Sequence, residues 1–344
     1  MPETKSLFDT ILGQEDAKGL LKRSLASGRI APTYIFHGPE GVGKRLTAKL
    51  FAAAMNCQTA PGLGCGRCGS CQKIMHDQHP DVNFYVPEVK DIKIETIREI
   101  QQLMGLKRWE ASWRFFVLDG ANQLNDASSN CLLKILEEPS PNSSLILLCE
   151  NPRGLLPTIR SRSQQVAFHP IPVATLADHL AKHGFEESHA ASLARASLGR
   201  MSRVEELRDP ETMAVRQDFL RALETIQEWT PAAIVKYAEK LVMAGKKQGR
   251  DYFTAYFEEI ILWCRDVVWL KGKGDQSGLF HPESLDALLA QAKAITATEA
   301  AARLEWSLQA IALLKRNVHT ELALDVTLLK QSGRFPGRIN LSAF

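Results

Sequence analysis

Along the first half of the chain, short fully apolar runs alternate with longer stretches whose apolar positions recur every three or four residues. Thr33-Tyr34-Ile35-Phe36-His37, Val82-Asn83-Phe84-Tyr85-Val86, Phe115-Phe116-Val117-Leu118, Leu145-Ile146-Leu147-Leu148-Cys149 and Gln165-Val166-Ala167-Phe168 read as five strands. Between them, 45–55 predicts a helix rich in Ala, Leu and Lys. The stretch 94–103 predicts an amphipathic helix on Ile97, Ile100, Leu103 and Met104. The stretch 127–136 predicts a helix after the capping candidates Asn125 and Asp126, stopped by Pro139. Before the first strand, Ile11-Leu12-Gly13-Gln14 leads into a helical stretch carrying Ala17, Leu20, Leu21 and Leu25. Strands alternating with helices indicate a parallel sheet covered on both faces.

Beyond Pro170 the strand pattern ends. Three short helices are expected at 176–183, 189–196 and 202–207. Longer helices follow from 211 to 331, broken at Thr230-Pro231, at 245–249 and at 272–282. The fold class is therefore α/β with helical additions. Its expected division is 1–168 for the sheet domain, 169–210 for a small helical domain and 211–344 for a helical C-terminal domain.

Between the first strand and its helix lies Gly38-Pro39-Glu40-Gly41-Val42-Gly43-Lys44-Arg45. It completes the G-x-x-x-x-G-K pattern of a phosphate-binding loop, in the strand–turn–helix context the pattern requires. The cradle of backbone N–H groups at Gly38, Gly41 and Gly43, and the lysine at Lys44, are candidates for holding the phosphates of ATP or ADP. The next residue should be Ser or Thr, whose hydroxyl ligates Mg²⁺, and it is Arg45. The third strand, expected beside the loop's own strand, ends in Asp119-Gly120, where a following glutamate would polarise water. Glu137-Glu138 fall at the far end of the next helix and are poor replacements. Two separate losses from one site read as an ATPase architecture kept for another purpose.

Seven cysteines in a chain of this composition are poor disulfide candidates. Four cluster as Cys57, Cys65, Cys68 and Cys71, with Gly62, Gly64, Gly66 and Gly69 allowing the turns that aim thiolates at one centre. Tetrahedral Zn²⁺ bound by four thiolates, a structural site with no open position, fits this spacing. A set of free thiols or a redox pair is the plainer reading. His76 and His79 could stand in for Cys57 but are expected at the surface. Cys131, Cys149 and Cys264 are expected in the core.

Just before the last strand, Arg160 and Arg162 flank Ser161. Such arginines either form a solvated basic turn or reach out of one subunit toward a neighbour's ATP. Hydrophobic residues make up 45% of the 344 positions and charged residues 24%, as in ordinary globular proteins. The net charge of +3 is too small to argue nucleic-acid binding by itself. No apolar run is long enough to span a membrane and the N-terminus lacks a signal-peptide core, so a cytoplasmic location is expected.

The run Asn130-Cys131-Leu132-Leu133-Lys134-Ile135-Leu136-Glu137-Glu138-Pro139, with Leu156-Pro157-Thr158-Ile159-Arg160-Ser161-Arg162-Ser163 after it, closely resembles the clamp-loader group of the AAA+ ATPases. The resemblance covers about the first 210 residues. It continues weakly into Asn317-Val318-His319-Thr320-Glu321-Leu322-Ala323-Leu324. It implies an AAA+ P-loop domain, a helical lid and a helical collar. The cysteine cluster matches a zinc module of the group. The group's Ser-Arg-Cys finger maps onto Ser161, Arg162 and Ser163, with the arginine kept and the cysteine replaced by serine. A lid arginine that senses nucleotide maps near Arg200 and Arg203, Arg203 being the better candidate.

The resemblance also implies a role. This chain would be a non-hydrolysing stator within a DNA polymerase holoenzyme, donating Arg162 to a neighbouring motor. Its partners would be gamma/tau and delta subunits, the sliding clamp and primer–template DNA. Three other readings stand beside it: an active loader ATPase using Thr47 or water, a P-loop kinase or other nucleotide-binding enzyme, and a zinc-containing DNA-binding module.

Overall fold

A computed structural model describes residues 6–87, 91–245, 250–274, 276, 278–314 and 319–334. Most of the expected 245–249 break, Asn317-Val318, and the basic tail from Phe335 onward lie outside them. The chain divides into two compact units, Met1–Glu206 and Leu207–Phe344. The elements of the first unit run α1 (Glu15–Ser27), β1 (Thr33–His37), α2 (Lys44–Met55), α3 (Gly69–Met75), β2 (Val82–Tyr85), α4 (Ile94–Gly105), β3 (Arg114–Leu118), α5 (Asp126–Glu137), β4 (Ser143–Cys149), α6 (Pro157–Ser161), β5 (Gln164–Ala167), α7 (Val173–Lys182), α8 (Glu187–Ala196) and α9 (Met201–Leu207). The five strands form one wholly parallel sheet in the order β2-β3-β4-β1-β5.

All five strands expected from the apolar runs are present, with bounds shifted by a residue or two. The topology corrects one expectation. The strand ending in Asp119 is not beside the P-loop strand, because β4 lies between β3 and β1. Apolar runs identify strands but not their lateral order, which the crossover helices set. Further differences are local, α3 at the end of the cysteine cluster among them. A 3-10 turn at Leu7–Thr10, closed by a Ser6–Asp9 capping box, precedes α1, and α6 occupies a segment with no helical pattern.

Every residue of β3 and β4 is buried, which is why those strands read as continuous apolar runs. Helix α2 lies against one face of the sheet through Ala48, Ala52, Ala53 and Ala54, all fully buried. Alanines at these positions let the helix axis approach closely enough for Phe51 to reach Tyr34 (5.4 Å between ring centroids) and Phe115 (5.6 Å). On the opposite face, Ile97, Ile100, Leu132 and Ile159 close a second core over Ile35, Phe116, Leu145 and Leu147.

The second unit comprises α10 (Pro210–Thr225), α11 (Pro231–Gly245), α12 (Arg250–Gly272), α13 (Leu285–Ala294), α14 (Ala297–Leu314) and α15 (Thr320–Gln331). Its core is built on Phe219, Phe257, Ile260, Trp263, Leu288 and Leu324. Among the described residues no helix is long and apolar enough to cross a membrane.

Candidate functional site

The phosphate loop sits where sequence places it, between β1 and α2, with Gly38, Gly41 and Gly43 all at positive φ. The backbone of Phe168, leaving β5, packs so close to Gly38 that a Cβ there would lie 2.1 Å from its carbonyl oxygen. Gln14 ties the loop to this exit from the sheet. Its side-chain amide donates to the carbonyls of Val42 (3.3 Å) and His169 (2.6 Å) and accepts from the His169 N–H (3.0 Å). Local pattern could not have assigned it, since its partners lie far along the chain.

Lys44 folds back on its own loop, its Nζ donating to the carbonyls of Gly38 and Pro39, each at 2.7 Å. Burial lowers its pKa, against the pull of the Asp119, Glu150 and Glu40 carboxylates. Arg45 leaves the loop altogether. Its Nη2 lies 3.7 Å from Asp77 Oδ2, and its guanidinium lies 5.5 Å from the Phe84 ring centroid. Thr47 is fully buried and donates its hydroxyl to the Gly43 carbonyl at 2.9 Å, so its oxygen is committed within α2. Asp119 accepts from the Gly120 N–H at 2.9 Å.

The lid helices reach the loop from above. The N–H of Met201, first residue of α9, donates to Gly41 O at 2.9 Å. A Cβ on Gly41 would lie 2.0 Å from Ser202 Oγ and 3.3 Å from Arg200 Cβ. The residues touching the loop are thus Arg200, Met201 and Ser202. Arg203 turns instead to Glu206, with Nη1–Oε2 at 2.8 Å.

The four candidate ligand sulfurs of Cys57, Cys65, Cys68 and Cys71 all lie within 4.8 Å of one another, and Cys57 and Cys68 are 3.9 Å apart. Tetrahedral zinc with Zn–S near 2.3 Å sets its sulfurs about 3.8 Å apart, so the cluster can hold a metal ion. Backbone N–H groups already point at the sulfurs: Ala60 to Cys57 (3.3 Å), and Arg67 and Cys68 to Cys65 (3.3 and 3.2 Å). The Thr59 hydroxyl and these amides pull Cys65 down to about 5, whereas burial pushes Cys71 up to about 12. A dication would supply the charge that keeps the buried Cys71 as thiolate. Leu7 braces the loop from the N-terminal turn, its N–H donating to Leu63 O at 3.0 Å and its side chain filling the space beside Gly64.

His76 is exposed as expected, but His79 is not a surface residue. It is 3% exposed, and its Nδ1 accepts the Asp81 N–H at 3.1 Å, with burial lowering its pKa against the pull of Glu110 and Asp81. Asp81 in turn accepts the backbone N–H groups of Trp109, Glu110 and Ala111, and His79 Nε2 lies 3.7 Å from Glu110 Oε1 of that turn. Cys149 and Cys264 are buried, and Cys131 is half-buried beside Gln101.

Arg162 caps the C-terminus of α6 and is about half exposed, its Nη2 lying 3.4 Å from Glu137 Oε1. Ser163, at the position of the group's cysteine, donates its hydroxyl to Ile159 O at 2.7 Å and so closes α6. Arg160 is partly buried, and its Nε has no hydrogen-bond partner among the described residues.

A parallel sheet with a phosphate loop after its inner strand β1, joined to a small helical lid that docks on that loop, defines a P-loop protein of the AAA+ class. The family model described as "DNA polymerase III, delta subunit" matches residues 13–172. The chain is 25% identical over 315 residues to the DNA polymerase III subunit delta' of Bacillus subtilis, covering 91% of this chain and 95% of that one. It is 37% identical over 147 residues to the delta' of Pseudomonas aeruginosa, covering 42% and 44%. It is also 31% identical over 190 residues to the tau subunit of Escherichia coli, covering 55% of this chain and 29% of tau. These matches support a clamp-loader subunit of the AAA+ group, with delta' subunits among the relatives.

Proposed function

We propose that the protein is the stator of a DNA polymerase III clamp loader: it does not hydrolyse ATP itself and donates Arg162 to the ATP site of a neighbouring gamma/tau-type motor. The observation that carries this reading is Arg45. A cation replaces the Mg²⁺-ligating hydroxyl and is committed to Asp77 and Phe84 rather than to the loop. The rival use of Thr47 loses support from that hydroxyl's bond to Gly43 O. Asp119 follows β3 directly, and the next residue is Gly120, which has no carboxylate to polarise water.

On this reading sheet domain, lid (169–210) and collar (211–344) divide the work. The collar holds the chain to gamma/tau and delta, and the assembled loader acts on the sliding clamp and primer–template DNA. Zn²⁺ at Cys57, Cys65, Cys68 and Cys71 stiffens the sheet domain and supplies no chemical step, since four thiolates leave no open position. Gly38, Gly41, Gly43 and Lys44 keep the shape of a phosphate site; of the two candidate lid arginines, Arg200 lies beside Gly41 and Arg203 is paired with Glu206. The finger works by placing a planar charged fork against phosphate oxygens as negative charge shifts in the transition state.

The test is a loader reconstituted with Arg162→Ala. Stimulated ATPase should fall, partially because other motors keep their own fingers, while assembly and metal content stay unchanged. Arg162→Lys should recover little, because a point charge cannot reproduce the fork. An effect at Arg160→Ala and none at Arg162→Ala would place the finger at the wrong residue. Full activity with both variants in an assembled loader would remove the trans-acting role.

A further inference from the structure

Arg162 does not stand free on its turn. It meets Glu137, the last residue of α5, with Nη2 3.4 Å from Oε1, while its Nη1 points toward the Thr158 carbonyl at 3.5 Å. The two helix ends that carry these residues are fixed to each other by packing. Ile159, fully buried, anchors α6 in the same core as Leu132, Ile135 and Leu136 of α5, and Leu155 joins them at 4% exposure. Glu137 and Arg162 therefore face one another across a rigid seam, although both side chains are about half exposed, at 55% and 42%. Glu138, the next residue, ends the helix and is exposed.

We infer that Glu137 is a positioning residue for Arg162, holding one edge of the guanidinium so that the remaining N–H groups face outward in a fixed orientation. This rests on the reading of Arg162 as a trans-acting arginine. The chemistry is economical. A guanidinium has five N–H donors, and a carboxylate that takes Nη2 leaves the others for phosphate oxygens. An arginine on a surface turn otherwise loses much rotamer freedom when it is ordered at a neighbour's site, and a partner that orders it beforehand removes part of that loss from the barrier.

The experiment is a double-mutant cycle in the reconstituted loader, with assembly and metal content checked for every variant. Glu137→Gln should lower the stimulated kcat about two- to fivefold, the range an exposed ion pair supports, with little change in KM. It should lower it no further when Arg162→Ala is already present. Glu137→Asp should recover part of the rate, and Glu138→Gln should leave it unchanged. Equal losses from Glu137→Gln with and without Arg162 would show a general structural effect and overturn the inference, as would no loss at all in the Arg162 background. If Arg162→Ala alone has no effect, the finger reading fails first and this inference falls with it, so the two failures are distinguishable.

Discussion

Met201 donates its backbone N–H to the carbonyl of Gly41 at 2.9 Å, so the lid is pinned to the phosphate loop by a main-chain bond. Gly41 has φ +74°, and Ser202 occupies the space its Cβ would need. Gly41→Ala should therefore lose about 1–3 kcal/mol in denaturant unfolding of the isolated chain and speed hydrogen exchange at the Met201 amide. Gly43→Ala is the control. It too sits at positive φ, but its Cβ would enter open space, so it should cost stability without freeing Met201.

The isolated protein should not turn over ATP. Arg45→Ser restores one hydroxyl but not the missing carboxylate after Asp119, and should leave the chain inactive. The pair it breaks is about half exposed, 42% on Arg45 and 40% on Asp77, so stability should change by about 1 kcal/mol or less. Turnover by the unmodified chain that Lys44→Ala abolishes would refute the assignment.

One zinc per chain should copurify without added metal, measured by elemental analysis. Cys68→Ser should lose it. Chelation of the unmodified protein should lower the stability of the unit Met1–Glu206 by several kcal/mol, because metal binding and folding of the 57–71 loop are coupled. A metal content near zero, or one unchanged in Cys68→Ser, would reject the site.

The parts legible in sequence are those encoded by neighbouring residues. The P-loop and the cysteine cluster are contiguous motifs whose spacing is itself the chemistry. The β3 and β4 runs announce burial on both faces. What escaped depends on distant partners. β4 lies between the loop strand and the Asp119 strand, Gln14 bridges to His169, and Glu137 meets Arg162 across two helix ends. None of these leaves a periodic trace. His79 is likewise buried beside a residue distant in sequence, Glu110. α6 escaped because five residues are too few to show helical periodicity.

His281 is the centre of a buried charge network. It is fully buried in the second unit between two carboxylates, with Nε2 3.0 Å from Glu259 Oε2 and Nδ1 3.0 Å from Asp266 Oδ2. Arg216 holds Glu259 from the other side at 2.7 Å, and Arg265 holds Asp266 at 2.9 Å. Burial works against the imidazolium, but the two hydrogen-bonded carboxylates outweigh it and raise the pKa of His281 above its ordinary value near 6.5. Glu259 is held at about 2 despite its burial, by His281 and Arg216. The histidine's contribution is complete below about pH 6.5 and is lost as pH rises through its folded pKa. The Glu259 contribution is present above about pH 4.3 and is lost as pH falls toward 2. Denaturant unfolding of the unit Leu207–Phe344, followed by its tryptophans within the full chain, should show stability declining as pH rises above about 6.5. His281→Gln should flatten that decline and cost about 3 kcal/mol at pH 6, since it removes the cation shared by two buried carboxylates and leaves each with its arginine alone. An unchanged alkaline slope in His281→Gln would show that another group titrates there.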